Sequence, residues 1–317
     1  MIRLVDRLNG EVLGEIPARD MEVLHGALIE EDDTDADYYL NPETLDRLQE
    51  SGMSEEGMNI LRTALTERDE VDVGWEPVVQ NPVARVTGQV MSEQDQPLGG
   101  LLVDLADTRE EVEDALSWSF TRPDGSFEIS LDEQDLEAAR NQSLVLTLSA
   151  LGDDWLSEAP VDFESGTEVQ VGVLKVPVFT GRVISDDEKR PLAGIALQVT
   201  MLADEGALEW FGTWVTSKAD GSFCFPFRRP DESVPVRQTM LLELLGPGGE
   251  PLCELEKENP MDLPSDLGEI ECPDPEYLED EDEEAPEEAA EGEEPQDEEE
   301  TVPVDAVFPG IPQNPLE

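Results

Sequence analysis

Trp118-Ser-Phe-Thr-Arg-Pro-Asp-Gly-Ser-Phe127 and Trp214-Val-Thr-Ser-Lys-Ala-Asp-Gly-Ser-Phe223 are one stretch written twice, 96 residues apart, each Trp nine residues ahead of its Phe. The same offset of 96 pairs Leu144, Leu146 and Leu148 with Met240, Leu242 and Leu244, then Gly152 with Gly248, Gly172 with Gly268 and Pro177 with Pro273. Upstream, Val86-Thr-Gly-Gln-Val90 answers Phe179-Thr-Gly-Arg-Val183, and Pro97-Leu-Gly-Gly100 answers Pro191-Leu-Ala-Gly194, with a shift of two or three residues absorbed in loops. A self-match of this extent marks a duplicated module of about a hundred residues, the size of one small domain.

Inside the repeat the hydrophobic period is two. Val86, Gly88 and Val90 alternate with polar residues, as do Leu101, Val103 and Leu105, Phe127 and Ile129, Leu144, Leu146 and Leu148, and Val169, Val171 and Val173. Six or seven short strands bounded by Gly, Pro and Asp turns, with no long helical pattern between them, predict an antiparallel β-sandwich. Asp124-Gly125 and Asp220-Gly221 supply a turn, and Phe127 and Phe223 are the first core-facing residues after it. Trp118 and Trp214, on the preceding strand, are expected to close the same core.

The succession of a strand with a central Gly, a Pro-Leu-x-Gly loop, a strand, a long hairpin and Asp-Gly-x-Phe resembles the carboxypeptidase regulatory-like, or transthyretin-like, domains. The resemblance covers about residues 83 to 177 and 178 to 273. It implies a β-sandwich and little about activity, because that fold hosts many unrelated roles.

Ahead of the repeat, residues 3 to 16 predict a hairpin with a type I′ turn at Asn9-Gly10. Pro17 then opens a helix carrying Met21, Leu24 and Leu28, Asn41-Pro42 caps a second with Leu45 and Leu48, and Ser54 starts a third with Met58, Leu61 and Leu65. Alternating Val71, Val73 and Trp75 follow. The segment Asp37-Tyr-Tyr-Leu-Asn-Pro42 and its flanking helices are similar to short uncharacterised bacterial proteins, a resemblance that brings no function with it. The expected fold is thus mainly β and multidomain: a small α+β domain over 1–80, sandwiches over 83–177 and 178–273, a disordered acidic linker over 274–300 and an apolar, Pro-rich peptide over 301–317.

Charge narrows the partners. The chain carries 19 basic and 78 acidic residues, a net charge of −59, and 17 of the acids lie between Pro273 and Glu300 with no basic residue among them. Subtracting 17 from 78 leaves 61 acids against 19 bases in the body, which repels nucleic acid and anionic lipid. Only four of the bases are lysines, a surface that suits high salt or keeps an interaction protein soluble. The first ten residues hold no apolar core of signal-peptide length, and no run approaches the roughly eighteen apolar residues of a membrane span. A cytoplasmic location with reduced Cys224, Cys253 and Cys272 is expected.

Catalytic chemistry has little to stand on. His25 is the lone histidine, too few for a metal site or a Ser-His pair. Asp33, Asp35 and Asp37 alternate like the start of a calcium loop, but the sixth position is Tyr38 rather than Gly and the twelfth is Thr44. No catalytic residue, metal or cofactor is expected. The expectation is a non-catalytic protein-interaction or scaffold protein, with a carbohydrate-binding or cell-surface module as the alternative. Candidate partner-binding residues are Val307, Phe308 and Ile311 in the C-terminal peptide, together with Trp210 and Phe211, which have no equivalents in the first copy.

Overall fold

The computed structural model describes residues 1–28, 37–66, 68, 70–107, 115–141, 143–150, 155–163, 166–203, 208–227, 238–246, 251–258 and 266–273, without the side chains of 37, 155, 201–203, 208–214, 238–239 and 257–258. The acidic linker and the C-terminal peptide lie outside the described residues.

The head is built from β1 (Ile2–Asp6), β2 (Val12–Ile16), α1 (Ala18–Ala27), β3 (Asp37–Leu40), α2 (Pro42–Glu50), α3 (Glu55–Ala64) and β4 (Val71–Pro77), with sheet order β2-β1-β4-β3. The caps explain where its helices begin. Asn41 and Thr44 form a reciprocal capping box on α2 with Pro42 in the first turn, and the Ser54 hydroxyl accepts from the Gly57 amide at the start of α3. Buried Asp20 accepts from both the amide and the hydroxyl of Ser54, which fixes the entry of α3 against α1. Leu4, Ile16, Leu24, Leu40, Leu48 and Leu61 fill the core between sheet and helices.

The hairpin turn differs from expectation. Gly10 alone has a left-handed φ, 78°, and the loop closes through Asp6 N–H to Glu11 O, with four residues between that bonded pair. Asp6 accounts for the longer loop: its buried carboxylate accepts from the Leu8 amide, the Asn9 side chain and Arg68. Two of these donors, the Leu8 amide and the Asn9 side chain, come from the loop itself. Of the alternating aspartates, Asp33 and Asp35 fall outside the described residues, and Asp37 begins β3.

The first sandwich comprises β5 (Ala84–Ser92), β6 (Leu102–Asp107), β7 (Ala115–Phe120), β8 (Ser126–Leu131), α4 (Glu133–Arg140), β9 (Leu144–Ser149), β10 (Trp155–Val161) and β11 (Glu168–Val176). The second comprises β12 (Val178–Ser185), β13 (Ala196–Ala203), β14 (Leu208–Thr216), β15 (Ser222–Pro226), β16 (Gln238–Leu245), β17 (Pro251–Glu258) and β18 (Asp266–Cys272). Strand order repeats: β10-β9-β6-β7 over β11-β5-β8 in the first, β17-β16-β13-β14 over β18-β12-β15 in the second. Each core lies between its two sheets, with Val86, Val103, Ile129 and Leu146 in one and Val183, Leu197, Phe225 and Leu242 in the other.

The repeated Gly and Phe are one device. Gly88 pairs across the ladder with Phe127, and Gly181 with Phe223. A Cβ on Gly88 would lie 2.6 Å from the Phe127 ring, and one on Gly181 would lie 2.4 Å from the Phe223 ring. Each glycine is therefore the space that lets a phenylalanine lie flat into the core.

Four expectations need correction. The sheets are antiparallel except that β11 pairs parallel to β5 and β18 parallel to β12. The first sandwich contains a helix, α4, which the strand periodicity did not anticipate: Asp132 and Asp135 form its capping box, and Leu136 and Ala139 reach the core. Val173 is 54% exposed rather than inward, because a register shift between Gln170 and Gly172 turns over the faces of the rest of β11. Trp118 does not close the sandwich core either. It faces the head, while the side chain of Trp214 lies outside the described residues.

Candidate functional site

None of the residues expected to bind a partner is brought to a described site. Val307, Phe308 and Ile311 lie outside the described residues; Trp210 and Phe211 are placed as backbone in β14, their side chains outside the description. His25 packs edge-on to Tyr38 and Trp75, with Nδ1 2.5 Å from the Tyr38 hydroxyl.

The most elaborate polar arrangement lies where the head meets the first sandwich. Trp75 of β4 meets Trp118 of β7 edge to face, with ring centroids 4.5 Å apart, and the Trp118 Nε1–H donates to the Trp75 carbonyl at 2.6 Å. Glu76, 2% exposed, accepts from Arg3 at 2.7 Å, Arg122 at 2.5 Å, the Ser119 hydroxyl at 3.1 Å and the Phe120 amide at 3.0 Å. Arg7 reaches the other way, lying 4.8 Å above the Phe120 ring centroid and donating to the Ala150 carbonyl at 3.2 Å. Backbone meets backbone at the hairpin loop: a Cβ on Gly99 would sit 2.1 Å from the Asn9 carbonyl oxygen, and one on Gly100 would sit 1.9 Å from that of Arg7. These contacts make the head and the first sandwich one body.

Among the described residues, the equivalent face of the second sandwich differs at these contacts. Register aligns the Leu102–Phe120 pair with Ala196–Thr216, and Gly99 with Ala193. A Cβ on Gly194, the counterpart of Gly100, would meet nothing within 4 Å. The large apolar pair and the bare backbone needed to seat the head belong to the first copy alone.

Among the described residues, two grooves are candidates for binding. In the head, Leu13 of β2 and Ile60 of α3, with Glu55, Glu56, Asn59 and Thr63, line a shallow open groove of about 490 Å³. Glu55 and Glu56 occupy the first turn of α3, where the helix dipole favours their negative charge. Among the described strands β2 pairs only with β1, and its Val12 is 44% exposed, so an unpaired strand edge borders the groove. The second groove, about 420 Å³, is lined by Arg182, Lys218, Asp266, Glu269 and Gln96 among others and carries both signs of charge. Among the described residues no group of three or more His, Cys, Asp or Glu is placed to hold a metal, and no helix is long and apolar enough to cross a membrane.

The residues that build the head seam and the head groove, Glu76, Arg7, Phe120, Gly99, Leu13 and Ile60, carry no motif. The seam nonetheless left a trace, since the two copies diverge at Gly99/Ala193 and Phe120/Thr216 while their cores agree.

No family model matches the chain, and no curated protein matches it. Among solved structures it is similar to a 9R-lipoxygenase from Cyanothece PCC8801, at 18% identity over 32% of this chain and 18% of that one, with a TM-score of 0.25. It is also similar to a streptococcal ancillary pilin, at 10% identity over 80% of this chain and 96% of that one, TM-score 0.25. The shaft pilin SpaA from Lactobacillus rhamnosus GG gives 10% identity over 60% of this chain and 97% of that one, TM-score 0.21. The chain spans under a fifth of the lipoxygenase and nearly all of either pilin. Scores this low carry no argument about what the chain does.

Proposed function

We propose that this chain is a non-catalytic protein-binding scaffold whose head docks an extended segment of another protein, one that carries an apolar side chain beside Lys or Arg. The observation that carries the proposal is the head groove: Leu13 and Ile60 offer an apolar floor, Glu55 and Glu56 an acidic rim, and the unpaired edge of β2 main-chain partners. An added strand takes its affinity from main-chain hydrogen bonds and its selectivity from such pockets. The net charge of −59 favours cationic partners and steers them in, and it disfavours nucleic acid.

The two sandwiches, read as carboxypeptidase regulatory-like modules, act as spacers behind the head. Residues 301 to 317 form a second docking element, with Val307, Phe308 and Ile311 as the anchors and the prolines lowering the entropy lost on binding. A cytoplasmic setting goes with this proposal. A cell-surface module is the second reading, favoured by Cys253 and Cys272, which both pack in the second core and could close to a disulfide in an oxidising compartment.

The test is comparative capture from cell lysate by the full-length protein, an Ile60→Asp variant and a chain ending at Glu300. The same partners should be lost with Ile60→Asp and reduced by the truncation. Equal recovery by all three baits would overturn both docking elements.

A further inference from the structure

Cys253 lies on β17, the edge strand of the four-stranded sheet, and Cys272 ends β18, the edge strand of the facing three-stranded sheet. Cys272 is fully buried in the second core, Cys253 packs against that core while half-buried, and the Cys253 Sγ lies 3.9 Å from the carbonyl oxygen of Glu271, the neighbour of Cys272. That distance brings the Cys253 thiol beside the end of β18, within the same packed core as the Cys272 side chain. Register gives their counterparts in the first sandwich: Leu148 pairs with Ser157 as Leu244 pairs with Cys253, and Val176 pairs with Ser92 as Cys272 pairs with Ser185. One copy of the duplication therefore holds Ser157 and Val176 where the other holds two thiols in one packed cluster.

We propose that Cys253 and Cys272 are a site of reversible oxidation, closing to a disulfide that ties β17 to β18 and fastens the last strand of the second sandwich to the opposite sheet. The oxidant is a low-molecular-weight disulfide of the glutathione class. Cys253 Sγ, the more accessible, attacks one sulfur of that disulfide as the thiolate, forming a mixed disulfide and releasing one small thiol. Cys272 then loses its proton and attacks Cys253 Sγ, forming the protein disulfide and releasing the second small thiol. Two protein thiols and one small disulfide thus become one protein disulfide and two small thiols. The order of attack has an electrostatic reason. Interaction with the neighbouring Cys272 thiol pulls the Cys253 thiol below its ordinary range and holds the Cys272 proton on, while burial raises Cys272 further. Cys224, on β15, is pushed up by burial and stands outside the pair.

Full-length protein equilibrated across ratios of oxidised to reduced glutathione, quenched by alkylation and weighed intact, tests the site. The expected product has lost the mass of two hydrogens, and its digest contains a Cys253–Cys272 linked peptide with Cys224 alkylated. Hydrogen exchange across β18 should slow in the oxidised form. Cys253→Ser and Cys272→Val restore the residues of the first sandwich, so both variants should fold. Neither should form the link, and Cys272→Val should stop at a stable mixed disulfide on Cys253. A wild-type protein that accumulates the glutathione adduct, links through Cys224 or stays fully alkylated at the most oxidising ratio would overturn the assignment.

Discussion

Glu76 shows how a single side chain can join two sheets. Its carboxylate is buried and takes donors from β1, β7 and Arg122, so the cost of burying its charge is offset by two guanidinium groups, a hydroxyl and an amide. Glu76→Ala strands Arg3 and Arg122 at the seam and should destabilise the protein by ~3–5 kcal/mol in denaturant melts, with Glu76→Gln losing less because one oxygen still accepts. A loss under about 1 kcal/mol for Glu76→Ala would place that carboxylate in water.

Tyr39 offers a pH test at the same scale. Partial burial first, then its hydrogen bond to Glu70, push the phenol from 10.0 up to about 12. The folded chain thus keeps this proton after the unfolded chain has released it. Between about 10 and 12 the unfolded state binds fewer protons, so stability falls as pH rises through that window, and below it Tyr39 contributes no pH dependence. Absorbance titration should show one tyrosine ionising late, and Tyr39→Phe should remove that component; a late component that survives in Tyr39→Phe belongs to another residue.

At the scale of elements, the duplication was legible because a strand pair needing Gly88 opposite Phe127 needs the same at Gly181 and Phe223. Phe127→Ala or Phe223→Ala should therefore cost ~3–5 kcal/mol each by opening a core cavity, measured by urea melts. The parallel edge pairs and the turned-over end of β11 were not legible, because alternation fixes which residues share a face but not the direction of the neighbouring strand. The helix α4 hid in a short amphipathic run of two inward residues, Leu136 and Ala139, too brief to show a period.

The head seam was misread at Trp118 because the repeat suggested one role for both tryptophans, whereas the first copy uses its tryptophan outward against Trp75. Gly99→Ala installs the residue of the second sandwich and drives a methyl into the Asn9 carbonyl, so it should cost ~1–3 kcal/mol and expose the 78–83 connection to protease. Ala193→Gly should leave proteolysis unchanged. Equal sensitivity of the two variants would mean that the hairpin loop does not rest on Gly99.

At the scale of the whole molecule, one copy of a duplicated sandwich seats the head, and the second carries instead the pair Cys253 and Cys272 and most of the lining of a groove of mixed charge. The anionic character was plain from composition, and it governs association more than fold. The head groove could not be read from the chain. Leu13 and Ile60 lie 47 residues apart and meet only once β2 and α3 are packed.

Hydrogen exchange on the complex with a partner captured by the head tests the docking claim most directly. Binding in the groove should slow exchange across β2, from Val12 to Ile16, and across the first two turns of α3, while β9 and β16 in the sandwich cores stay unchanged. Protection confined to the sandwiches, with β2 and α3 exchanging as in the free protein, would contradict docking at the head.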